Sequence, residues 1–270
     1  MNESTAKVIK RFALLAGSTV CLTFAGFYLQ AIPWGRSSRD AIEGRAIAEI
    51  EQLSSSVSAF AADYGRKPLS HITLWEDGTK WQSDPLSRAM VRRLWPRFVF
   101  DVARDLNGDG DTVDKFHLSG AECLVWFLGG VQTRQGECIG FCHNPFDPFH
   151  RSSYRRTAPY FGFKKHRMTD LDSDGFPEYT DRLTDMPYLY IAKEAGRYHA
   201  RDLAVFPEGD NRNMQHPYSF AGDSFGHYQI ISAGFDREYG VGGEYSDSSD
   251  FTVERRSEDD NLTSFSNGRL

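Results

Sequence analysis

Two acidic loops hold the residues best suited to chemistry. Asp170, Asp172, Asp174, Glu178 and Asp181 occupy positions 1, 3, 5, 9 and 12 of one loop, with Gly175 at position 6 and the Phe176 carbonyl at position 7. Calcium is a hard cation that takes about six to eight oxygen ligands, and a tight turn at a glycine lets alternate side chains converge on one point. The spacing therefore predicts a calcium loop. Its surroundings, near Phe161 and over residues 188–191, read as strand rather than helix, so the loop is expected to stand alone and not inside a helix–loop–helix hand.

A second loop begins the same way, with Asp105, Asn107, Asp109, Gly110 and Asp111. Phe116 stands where the closing carboxylate belongs, so a calcium site here needs Asp114 or a distant ligand. A third concentration, residues 236–260, carries nine acids against three arginines. Such density either repels itself into a loop or closes on a cation. Cys123, Cys138 and Cys142 offer one disulfide and one spare thiol with no pair favoured, and Cys138, Cys142, His143 and His150 are zinc-ligand types. There is no nucleophile elbow, phosphate loop or HExxH motif to support hydrolysis. Across 270 residues, 31 Lys+Arg face 37 Asp+Glu, and a net charge of -6 argues against a surface that wraps nucleic acid.

The elements that must position these loops start with residues 12–35, which carry no charge and are long enough at helical rise to cross a hydrocarbon core of roughly 30 Å. Lys7, Lys10 and Arg11 precede the segment, which puts the N-terminus in the cytoplasm and the rest outside it, as a single pass of the inner membrane. From Arg36 to Tyr64 there is no Pro, and Ile47, Ile50, Leu53, Val57, Phe60 and Tyr64 recur at helical spacing. Gly65 and Pro68 end that amphipathic helix. The head beyond it reads as α+β. Ser119 and Glu122 have capping-box spacing ahead of a short helix, and residues 98–102, 188–191 and 228–231 suit strands. The expected plan is a cytoplasmic tip and anchor at 1–35, a helix at 36–67, and a globular head at 68–270 built on a small antiparallel sheet with long irregular loops.

Several of these segments carry a family resemblance. The run Ile230–Asp236, the Gly-rich acidic stretch after it and the run Glu258–Phe265 resemble the C-terminal region of the major pseudopilin of type II secretion systems, a type IV pilin-like family. Phe12-Ala-Leu14, with Pro33 placed 21 residues after Phe12, and the helix end Phe60–Pro68 are similar to the same family. The resemblance spans residues 12–68 and 228–266 and leaves the two Asp-rich loops of the middle outside it. It implies a membrane-spanning pilin-like rod and a calcium site that includes Asp236, Asp259 and Asp260. Arg11 and Ala16 stand where the family's processing motif has Gly and Glu, so an uncleaved N-terminus is expected.

The expected function is a membrane-anchored, calcium-stabilised, non-catalytic pseudopilin-like subunit whose partners are other pilin-like subunits or secretion machinery. The rival expectation is an anchored extracytoplasmic enzyme or carbohydrate-binding module, with aromatic residues 154–163 as its ligand platform.

Overall fold

Residues Ala46, Ile50, Leu53, Val57 and Phe60 fall three or four positions apart and are all buried, so one stripe of a long helix is its packing face. That helix is α1 (Trp34–Tyr64) in the computed structural model, which describes residues 34–270 apart from 153–154, 208, 221–222, 225, 246–252 and 267. Gly65 follows α1 at φ +70, the left-handed conformation of a C-cap. Residues from Arg45 to Leu270 form one compact unit.

After α1 come β1 (Ile72–Trp75), α2 (Pro85–Leu94), β2 (Lys115–Leu118) and α3 (Gly120–Gly129). Next are β3 (Met168–Thr169), β4 (Glu178–Tyr179) and β5 (Leu189–Ala192). The C-terminal part adds β6 (His216–Phe220), β7 (Asp223–Ser224), β8 (Tyr228–Ser232), β9 (Gly242–Tyr245), β10 (Leu262–Thr263) and β11 (Gly268–Arg269). β1 pairs with β2 and β3 with β4, both antiparallel. The central sheet is antiparallel in the order β11-β10-β8-β5, with Leu189 opposite Ile231 and Tyr190 opposite Ile230.

Side chains alternate across a strand, and β5 and β8 use both faces. Tyr190 and Ile230 join α1 and α3 in one apolar cluster, while Leu189, Ile191 and Ile231 join Leu203, Tyr218 and Tyr239 in a second. α3 is entirely buried, and its start lies hard against β5: a Cβ on Gly120 would sit 1.8 Å from the Tyr190 carbonyl oxygen. Only glycine fits there.

The contact between α1 and the sheet includes one ionic centre. Arg167 donates from Nη1 and Nη2 to the two carboxylate oxygens of Glu49, each at 2.7 Å, and the Tyr188 hydroxyl donates to Glu49 at 3.0 Å. Glu49 is 4% exposed and Arg167 6%. Burial pushes the Glu49 carboxyl up, but the bonds and charge of Arg167 outweigh it and hold the group below its ordinary value.

Three expectations are corrected. The long membrane-spanning helix is not found: among the described residues no helix is long and apolar enough to cross a membrane. α1 carries Arg36, Arg39, Asp40, Glu43 and Arg45 in its first turns, and hydrocarbon does not accept that density of charge. Residues 12–33, on which most of the expected span falls, lie outside the described residues. The single small sheet is replaced by four separate sheets among the described residues, one of them with β6 and β9 parallel. Residues 98–102 are irregular rather than a strand, because Phe98 and Phe100 turn into an aromatic cluster with Trp81 and Phe149.

Replacing Arg167 with Met leaves Glu49 buried with only the half-exposed Arg182 as a cation. Removing one partner of a buried ion pair costs about 3–5 kcal/mol, and denaturant unfolding of the full-length protein should show a loss at the lower end of that range. The double variant Arg167→Met/Glu49→Gln should recover part of it. Unfolding unchanged by Arg167→Met would show that the pair contributes nothing to stability.

Candidate metal centre

The loop at 170–181 folds around its first aspartate. The Asp170 carboxylate accepts from the Asp174 N–H at 3.2 Å and from the Gly175 N–H at 2.9 Å, which draws positions 5 and 6 back over position 1. Gly175 takes φ +94, the conformation that only glycine enters freely and that the tight turn at position 6 requires. Asp174 in turn accepts from the Phe176 N–H at 2.8 Å. The chain then enters β4 at Glu178, and the Phe176 ring is buried against Phe116 and Trp126 with centroids 4.8 and 5.2 Å away.

This folding sets Asp172 and Asp174 over the N-terminus of α3. One carboxylate oxygen from each of Glu122, Asp172 and Asp174 lies within 4.8 Å of the others. Glu122 is the third residue of α3 and completes a capping box: its Oε2 accepts from the Ser119 N–H at 2.5 Å. Its other oxygen, Oε1, is buried and has no hydrogen-bond partner, although Glu122 is only 3% exposed. Glu178, 2% exposed, adds a fourth acid, on which the charge of Glu122 acts, and it accepts from the Leu171 N–H at 3.2 Å.

Without a cation these acids oppose one another. Burial, then the charge of Asp174, pushes Glu122 up to about 8. Burial pushes Asp174 to about 7, with Asp172 and Asp170 adding to it, and burial with Glu122 takes Glu178 to about 9. Asp172 is raised by burial and by Asp170. A cation among them offsets both the repulsion and the lost hydration, and the donor set is all oxygen, as hard cations require. Asp181, expected at position 12, sits elsewhere: its Oδ1 accepts from the Leu183 and Thr184 N–H groups and its Oδ2 from the Ser232 hydroxyl at 2.6 Å, tying the loop's end to β8.

The other Asp-rich loop lies alongside. A Cβ on Gly175 would come within 2.6 Å of the Asn107 Cβ, and Asn107 Nδ2 reaches the Asp174 carbonyl at 3.5 Å. Successive aspartates turn the chain, with Asp109 accepting from the Asp111 N–H and Asp111 from the Val113 N–H. Asp105 accepts from the Gly108 N–H. Here Glu76, Asp111 and Asp114 place one carboxylate oxygen each within 4.8 Å of the others. Glu76 reaches this loop from a distant element, fully buried just after β1, but both its oxygens already accept backbone N–H groups, from Leu106 and Asp114.

In the C-terminal region the structure brings Asp236 and Asp260 together. Burial and then the charge of Asp260 push Asp236 up to about 6. Asp260 Oδ2 accepts from the Phe235 N–H, while its Oδ1 is buried without a partner. Asp259 is exposed, and Glu258, fully buried, is spent on Arg255 and on the Val241 and Gly242 N–H groups. Among the described residues no group of three metal-ligating side chains forms there. Cys123, Cys138 and Cys142 are free thiols, and their neighbourhood forms no such group either.

Sequence spacing missed Glu122 and Glu76 as members of the two acidic groups. Glu122 was legible only as a helix cap, and no local spacing marks Glu76. No family model matches the chain, and no curated protein or solved structure matches it.

Glu122→Gln keeps the cap's shape and removes the buried charge. At a pH above about 8, the value to which Glu122 is raised, the full-length variant in chelator should melt a few degrees above the unaltered protein, at about 2–4 °C per kcal/mol. Its further gain on adding calcium should shrink. A variant that gains as much from calcium as the unaltered protein would remove Glu122 from the metal centre.

Proposed function

We propose that the chain is a calcium-stabilised, non-catalytic assembly subunit of the pilin-like kind, with its head outside the cytoplasm. The observation that carries the calcium part is Glu122: a carboxylate oxygen buried without a partner, beside Asp172 and Asp174, at the closed turn of a loop with calcium spacing. The assembly part is supported by α1. It lays an apolar stripe on an antiparallel sheet, with Tyr188 and Tyr228 of the sheet side bonded to Glu49 and the Ser54 carbonyl. A helix packed on antiparallel strands is the one part of the expected pilin-like plan that this reading draws on.

In this reading calcium does no chemistry on a substrate. It holds the 170–181 loop to the start of α3, and through Phe176 and Trp126 it fixes that surface of the head against the core. Surface loops held this way present one shape to neighbouring subunits. Weak sites suffice, because calcium modules outside cells work with dissociation constants of about 10⁻⁴–10⁻³ M.

Two measurements on the full-length protein test the two parts. Calcium at a hundredfold excess over its dissociation constant should stabilise the fold by about 2.7 kcal/mol, or roughly 5–10 °C in melting temperature, and Asp172→Ala/Asp174→Ala should remove most of that gain. Equal melting in calcium and in chelator rejects the calcium reading. Crosslinking in cells should join the chain to pilin-like subunits in calcium and fail in the Asp172→Ala/Asp174→Ala variant; adducts containing no such subunit reject the assembly reading.

A further inference from the structure

The chain as a whole is acidic, yet one pocket gathers four cationic side chains and a single carboxylate. Arg66 and Lys67 follow the end of α1, Arg93 stands in the last turn of α2, and Lys193 follows β5; together they surround a cavity of about 340 Å³ floored by Ser70 and His71. Glu194 is the one carboxylate that lines it. That carboxylate is already engaged, 3.4 Å from Arg201 Nη2 and 3.6 Å from His71 Nε2. His71 is itself held from behind, its Nδ1 3.1 Å from the fully buried Asp202, which also accepts from the Ser70 hydroxyl.

The bland explanation is that basic residues gather at helix C-termini to complement the macrodipole. Its size decides against that as a full account. Each helix end is equivalent to about half a negative charge, so the ends of α1 and α2 together offset about one. Arg66, Lys67 and Arg93, less Glu194 counted in full and less that one, leave about one positive charge facing the cavity even with Lys193 left out. Arg66 and Arg93 have no carboxylate partner among the described residues. Lys67 is partly withdrawn from water, over the Tyr228 ring at 4.3 Å.

We propose that this pocket binds a small ligand through a phosphate group, with Arg66 and Arg93 as the forked donors and Lys67 as a point charge. One excess positive charge matches the single negative charge of a phosphodiester or of phosphate at its first ionisation, and guanidinium forks present paired N–H groups to it. The cavity is at the small end of ligand sites, which suits a headgroup or a free phosphate rather than an extended polymer. The site is separate from the acidic loops, and its occupancy does not depend on the calcium reading.

The test titrates the full-length protein with two probes, inorganic phosphate and the soluble short-chain lipid dihexanoylphosphatidylglycerol, in calcium too dilute to precipitate phosphate. Binding is followed calorimetrically, with sodium chloride at matched ionic strength as the control. Saturable binding should appear for at least one probe and weaken about tenfold or more in Arg66→Gln/Arg93→Gln, the size of one lost charge-assisted hydrogen bond. Both side chains are exposed, so the variant should keep its unfolding transition. Tighter binding of the lipid assigns a membrane headgroup, and tighter binding of phosphate assigns a free phosphate compound. An unchanged affinity in the variant, an equal response to chloride, or no saturable binding of either probe overturns the proposal.

Discussion

A carboxylate taken out of water must find positive charge or give up its own, and this head contains both outcomes. Glu49 and Glu122 are buried to nearly the same extent, on α1 and at the start of α3. Glu49 has a forked guanidinium on both oxygens and stays ionised below the ordinary carboxylate range. Glu122 has a helix N-terminus on one oxygen, nothing on the other, and more acids opposite. A helix end is equivalent to only about half a charge, too little to hold three neighbouring carboxylates in their charged form. The first centre is complete within the chain, and the second leaves one carboxylate oxygen without a partner.

The rest of the architecture bears on where that deficit sits. α3 is buried all round and pressed against β5 at Gly120, so its N-terminus cannot retreat from the loop above it. The loop cannot lift freely either, because Phe176 at position 7 is packed between Phe116 and Trp126. Phe116, which breaks the ligand pattern of the neighbouring loop, is the residue that seals this aromatic layer. An apolar residue at a ligand position thus has a packing role, and it fastens both acidic loops to one core.

Much of this was legible residue by residue. The spacing of Ile50, Leu53, Val57 and Phe60 located α1 and its buried face, and Ser119 with Glu122 located the start of α3, because both signals are local and helical periods are long enough to read. The loop at Asp170 was legible in the same way, through Gly175 at position 6. Residues 98–102 misled because Phe and Val suit a strand and a tertiary aromatic cluster equally well. Asp181 misled because position 12 counts along the chain, while Ser232 and the turn at 183–184 act across it. Glu76 and Glu122 carried no metal signal at all, since each reaches its acidic group from another element.

The two acidic loops also differ in what they need. At Glu76 both oxygens hold backbone N–H groups, so the loop at 105–114 can keep its shape with that carboxylate partly satisfied by the chain itself. At Glu122 the chain supplies one N–H for two oxygens, and the surrounding acids remove any benefit of the second. Asn107 lies against Gly175 and reaches the Asp174 carbonyl, so the better satisfied loop forms a wall of the worse one. A shape kept by one loop thereby narrows the space in which Asp172 and Asp174 can avoid Glu122. Crowding of this kind resists rearrangement, because the apolar side chains that would have to move, Phe176 and Trp126, are both buried in the core.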